Sequence, residues 1–160
     1  MSTRKLYLIA SRNSAKQRAH FSIFIPSISN PDKGTAIHVV GAPMAGYMLE
    51  FKRHYSPAEA EEKYEMWRIG ETSEENVKDF AGNEFIREHT PRDNLEREAT
   101  RVPPPRISEN FRAPVNDTTN RRCQEWTMDF LHHLVLKGFI SQEADDIVQS
   151  KRDPPSHGIV

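Results

Sequence analysis

With 160 residues, 28% of them charged, and a formal net charge of -1, the chain has the length of one domain with a real core. Charges of both signs are mixed along it, which demotes nucleic-acid binding, and its small basic clusters (Lys52 with Arg53, Arg121 with Arg122, Lys151 with Arg152) read as solvated surface. One cysteine excludes an intrachain disulfide, and the apolar run Leu6–Ala10 is too short for a signal core or a membrane span. The expectation is therefore a soluble cytoplasmic protein with no integral membrane segment.

Lys5–Ala10 reads as a short buried strand, closed by the polar stretch Ser11–Gln17. His20–Pro26 is a second strand, with Phe21, Ile23 and Ile25 on one face and His20, Ser22 and Phe24 on the other. Ser27–Gly34 is a turn, rich in Ser, Asn, Pro, Asp and Gly. Thr35–Val40 is a third strand, with Ile37 and Val39 on one side and His38 and Val40 on the other. After the turn Gly41–Gly46, the strand Tyr47–Tyr55 puts Glu50, Lys52 and His54 on one face, which reads either as the lining of a groove or, more plainly, as a solvated outer face.

Pro57 at a first helical position predicts a short helix over 57–63. Tyr64–Ile69 fits either a fifth strand or a helix end, and Ser73–Phe80 a short helix behind a weakened capping box. Residues 81–118 are polar, hold Pro103-Pro104-Pro105 and include one amphipathic helix near 93–101. This stretch reads as a loop wrapped over the domain or as a lid. From Asn120 the pattern sharpens: Cys123, Trp126, Thr127, Phe130, Leu131, Leu134 and Val135 form one helical stripe, with Thr118, Thr119 or Asn120 as its cap and Lys137-Gly138 as its end. A last helix over Ser141–Ser150 buries Ala144, Ile147 and Val148, and the tail 156–160 reads as flexible.

The sum is an α+β domain: an antiparallel sheet of four or five strands packed against a helix that carries the single cysteine at its N-terminus. Cys123 there has the helix dipole, Arg121 and Arg122 beside it, so a low-pKa thiolate is expected. A small buried hydrophobe is the plainer reading of a free cysteine. If the hairpin of the second and third strands is centred near residue 30, His38 lies opposite Ser22 and diagonal to His20. Both rings then share a face, their Cβ atoms roughly 7–8 Å apart or less. Cys123, His20 and His38 become a candidate set of nucleophile, base and orienting group.

The segments Ala19-His20-Phe21-Ser22-Ile23-Phe24-Ile25, Ala36-Ile37-His38-Val39-Val40 and Arg122-Cys123-Gln124-Glu125-Trp126 resemble the permuted papain-like group of the NlpC/P60 superfamily. Lecithin:retinol acyltransferase and the small phospholipid acyltransferases belong to that group. The resemblance implies a papain-like fold with His20 as general base, His38 as ring-orienting residue and Cys123 as nucleophile. Trp126 takes the place of the aromatic that ends the family's Asn-Cys-Glu-His-Phe signature. Arg122 stands where that signature has Asn, Gln124-Glu125 replaces Glu-His, and no membrane-anchoring C-terminal helix is present. The wider sequence is also similar to a group of uncharacterised fungal proteins.

The function this implies is a cysteine-dependent hydrolase or acyltransferase acting on an amide, ester or thioester. Its partner would be a small-molecule or peptide acyl donor, and it would need no cofactor. A zinc site from His20, His38 and Cys123 lacks any close-spaced ligand pair, and Gly41–Gly46 lacks the Gly-Lys-Ser/Thr ending of a phosphate loop. Two other readings stand beside the enzyme. One is a catalytically silent papain-like binding domain, and the other an unrelated α+β interaction module with a buried thiol.

Overall fold

The structure, a computed structural model, describes residues 2–158. β1 (Thr3–Ser11), β2 (His20–Pro26), β3 (Gly34–Ala42), β4 (Gly46–Tyr55), β5 (Tyr64–Ser73) and β6 (Ile86–Glu88) form one open sheet in the order β5-β1-β2-β3-β4-β6. Every neighbouring pair is antiparallel. Three helices complete the domain: α1 (Asn94–Ala99), α2 (Cys123–Leu136) and α3 (Gln142–Ser150). The α+β class and the antiparallel sheet are as the sequence indicates. The sheet is wider by β6, a three-residue edge strand that carries too little periodicity to be read beforehand.

Alternation decides which face is covered. Leu6, Leu8, Phe21, Ile23, Ile25, Ile37, Val39 and Phe51 form a buried cluster with Trp126, Phe130, Leu131 and Leu134 of α2 and with Ala144 and Val148 of α3. α2 lies against β2 and β3, and α3 against β5. Burying a large apolar side chain contributes about 1.5–3 kcal/mol, so this helix-covered face supplies most of the stability. On the opposite face Ile9, Phe24 and Ala36 are also buried, and Phe24, Tyr55 and Phe85 make edge-on or tilted ring contacts at 6.2–6.3 Å.

Several local expectations are corrected. At 57–63 only a single 3-10 turn forms, Pro57–Glu59, because the backbone is already extended at Ala60. Residues 64–73 are a strand, paired with β1 along its full length. That pairing draws Ser73 into the sheet, leaves its side chain without a cap bond, and reduces the helix expected over 73–80 to a 3-10 turn at Glu74–Asn76. Within 81–118 the helix near 93–101 is α1, capped by the Asp93 carboxylate on the Glu96 N–H at 2.8 Å. The rest wraps the domain: Tyr47 N–H bonds Pro105 O, Ser108 N–H bonds Pro43 O, and Val115 N–H bonds Pro155 O. Of the tail, His157 Nε2 meets Gln17 O at 3.0 Å, and residues 159 and 160 lie outside the described residues. No helix among the described residues is long and apolar enough to cross a membrane.

Candidate active site

The β2–β3 hairpin register pairs Ile23 with Ile37 and Pro26 with Gly34, which places Ser22 across from His38. The pairing stops at Ile23, so the start of β2 and the end of β3 diverge. A cavity of about 530 Å³ opens there, lined by Ala19, His20, His38, Gly41, Tyr47, Lys52, Arg87, Arg122 and Cys123 among others. The structure thus brings all three sequence-derived candidates to one cavity, although they reach it from different sides. His20 and His38 stand on the face away from the helices. Cys123 comes from the helix-covered side, at the first residue of α2.

The two imidazoles are joined directly, His20 Nε2 to His38 Nδ1 at 2.7 Å, with ring planes 76° apart. His38 Nε2 then meets Glu50 Oε1 at 2.9 Å, and Arg87 donates to the same oxygen at 2.8 Å. Glu50 is the direct cross-strand partner of His38. The expectation of a solvated face at Glu50 is therefore wrong: the residue is 7% exposed. The available signal was its place across the turn Gly41–Gly46 from a histidine, since paired residues share a face.

Charge assigns the protons. Hydrogen bonding from His38, with Arg87 beside it, holds the Glu50 carboxyl down to about 2, so it is an anion and only accepts. Burial pushes His38 below its ordinary value, and burial together with His38 and Lys52 pushes His20 down to about 3. Both rings are neutral at pH 7. His38 then carries its proton on Nε2, toward Glu50, and accepts at Nδ1. His20 must donate from Nε2, which leaves Nδ1 with a free lone pair. A chain of three side chains thus fixes the tautomer of His20 from a carboxylate two residues away in the network.

The thiol departs from expectation. Burial pushes Cys123 up rather than down, outweighing the lowering effect of the Phe21 and Gln124 backbone and of Arg18. The nearby guanidiniums are engaged elsewhere: Arg121 pairs with Asp129, and Arg122 Nη2 donates to Phe111 O at 2.8 Å. The Cys123 S–H faces the carbonyl of Ala19 at 3.7 Å, and among the described residues no hydrogen bond joins it to His20. The resting pair is a neutral thiol and a neutral imidazole sharing one cavity.

Gln124 and Glu125, on the first turn of α2, tie that helix to the chain entering β2. Glu125 takes both Arg18 nitrogens at 3.0 Å and Arg152 at 2.8 Å, and reaches back to the Arg122 N–H at 2.9 Å. That last bond caps α2 in place of the expected Thr118, Thr119 or Asn120. Asn120 is instead turned toward the carbonyls of Ala113 and Pro114. Gln124 donates to Ala19 O at 3.0 Å and to Asp153 at 2.9 Å, while Asp153 accepts the Ala19 N–H at 2.8 Å. The backbone entering β2 is therefore tied to the first turn of α2, which sets where His20 and Cys123 lie. Of residues 81–118 only Arg87 lines the cavity. Among the described residues no group of three or more His, Cys, Asp or Glu side chains is arranged to hold a metal ion.

The sequence model of a family of unknown function (DUF6540) matches residues 6–141. The chain belongs to that family. The match takes in every residue of the cavity's histidine network and Cys123. No curated protein matches the chain, and no solved structure matches it.

Proposed function

We propose that this protein is a cysteine-dependent hydrolase or acyltransferase, with Cys123 as nucleophile, His20 as general base and His38 as the group that orients it. The observation that carries this reading is the Glu50–His38–His20 chain, which leaves His20 Nδ1 unprotonated at the cavity that Cys123 also lines. Such a relay holds a base in its reactive tautomer. The permuted papain-like resemblance of the segments around His20, His38 and Cys123 supports the same assignment, as does an antiparallel sheet backed by a helix that begins at the cysteine.

In the reaction the thiol leaves the Ala19 carbonyl and Sγ attacks an acyl carbon while His20 Nδ1 takes its proton. A C–S bond forms and the carbonyl electron pair moves onto oxygen, where N–H groups at the start of α2 stabilise it. The intermediate collapses to a thioester as the leaving group departs with the proton from His20. Water or an amine, deprotonated in turn by His20, then releases the acyl group and restores the thiol. Because the thiol is held protonated, the proton moves during attack and not before it.

A catalytically silent binding domain is the second reading. It is favoured by the bond of the thiol to Ala19 O and its raised pKa. Turnover of a panel of amide, ester and thioester donors separates the two. The enzyme reading predicts release of at least one acyl group that is abolished by Cys123→Ser. Turnover of none, or turnover indifferent to that substitution, leaves the binding reading.

A further inference from the structure

A second cavity of about 420 Å³ adjoins the first on the face away from the helices, lined by Ser22, Tyr55, Phe85 and the acidic Glu59, Glu61 and Glu62 among others. The two share four residues: His20, Lys52, Glu62 and Arg87. Lys52 and Arg87 are direct cross-strand partners on β4 and β6. Two like charges placed opposite each other on neighbouring strands repel, which costs stability unless an anion lies between them.

Glu50 answers only half of this charge. Its Oε1 binds one nitrogen of Arg87 at 2.8 Å and is already committed to His38. Lys52 Nζ stands 4.7 Å from the centre of the Tyr55 ring, and the Arg87 guanidinium carbon 5.4 Å from that of Phe85. Aromatic faces hold cations in place without neutralising them. Among the described residues no carboxylate comes within ion-pairing distance of Lys52, Glu62 on the facing wall included. Burial and the nearby Arg87 press the Lys52 ammonium below its ordinary value, while Glu50 and Glu62 oppose them from a distance without an ion pair.

We propose that Lys52 and Arg87 form a subsite for an oxyanion, a carboxylate or a phosphate, carried by the substrate beside His20. The proposal rests on the enzyme reading for its role but not for its existence. It makes the acyl donor an anionic molecule whose charged group lies between Lys52 and Arg87, on the wall the two cavities share, while its carbonyl lies in the first cavity. Together the two cavities are of the size that takes a small metabolite or short peptide.

The test is binding of succinate and, separately, of inorganic phosphate to the full chain carrying Cys123→Ser, by calorimetry at low ionic strength. We expect saturable binding of at least one, weakened about ten- to 100-fold when Lys52→Met is added, as loss of one charge-assisted contact implies. Lys52→Arg should retain most of it. The stronger of the two probes tells a carboxylate from a phosphate subsite. No saturable binding of either, or binding that Lys52→Met leaves unchanged in a folded variant, overturns the proposal. Because the protein used cannot turn over, anion binding without any acyl transfer in the parent would sink the enzyme reading alone. Acyl transfer without anion binding would sink this one alone.

Discussion

Replacing His38 in two ways isolates what the histidine network does. In the structure His38 Nδ1 accepts from His20 Nε2 at 2.7 Å, and its Nε2 donates to Glu50 at 2.9 Å. His38→Leu removes the acceptor and leaves the His20 Nε2–H facing an apolar group. An unsatisfied buried donor costs about 1–3 kcal/mol. His20 avoids that cost by turning, or by moving its proton to Nδ1, and either change removes the base. At about 1.4 kcal/mol per tenfold the acylation rate should fall by roughly 5- to 150-fold. His38→Asn should lose far less, because Oδ1 takes up the Nδ1 position and accepts the same hydrogen bond, with the contact to Glu50 given up. The assay is the rate of the first acyl transfer to Cys123 under single-turnover conditions, with melting temperatures to confirm that both variants fold. Equal rates for the Leu and Asn variants would refute the tautomer argument, whatever their common value.

Alkylation of Cys123 by iodoacetamide should be slow at pH 7 and should keep rising past the ordinary thiol value of about 8.5, because burial holds the thiol protonated. A rate already level near pH 7 would mean a resting thiolate and would contradict the neutral pair. Arg18→Met should destabilise the protein by about 3 kcal/mol, the lower end for a broken buried ion pair because Arg152 still meets Glu125. At about 2–4 °C per kcal/mol for a chain of this size, the melting temperature should drop by roughly 6–12 °C. A drop of less than about 2 °C would show that the tether at the start of α2 is not structural.

Much of the site could be read from residues alone, and the reasons are local. The bounds of β2 follow from alternation between Ala19 and Pro26, and its register with β3 from a turn centred near residue 30. The helix at Cys123 follows from its apolar stripe. What escaped reading depends on tertiary surroundings. The pairing of Glu50 with His38 follows from the turn Gly41–Gly46, but its burial depends also on Arg87 arriving from β6, which periodicity does not reveal. The helix dipole and the neighbouring arginines of Cys123 argue for a thiolate, yet burial, which no spacing reveals, reverses the direction. The helix expected over 73–80 yields to the length of β1, which offers partners as far as Ser73. The segment 100–122 owes its order to single backbone bonds with distant loops and to buried Val102 and Val115, so periodicity carries no trace of it.

The central claim is that Cys123 becomes acylated with His20 as its base. It is tested most directly by intact-mass detection of the acyl-protein formed from an activated thioester, timed in the parent and in His20→Ala. The account predicts one acyl group, lost on hydroxylamine treatment and absent in Cys123→Ser. It should form about 100-fold or more slowly without His20, in line with what a positioned general base contributes. An adduct that forms equally fast in His20→Ala, or that appears on another residue, would contradict it.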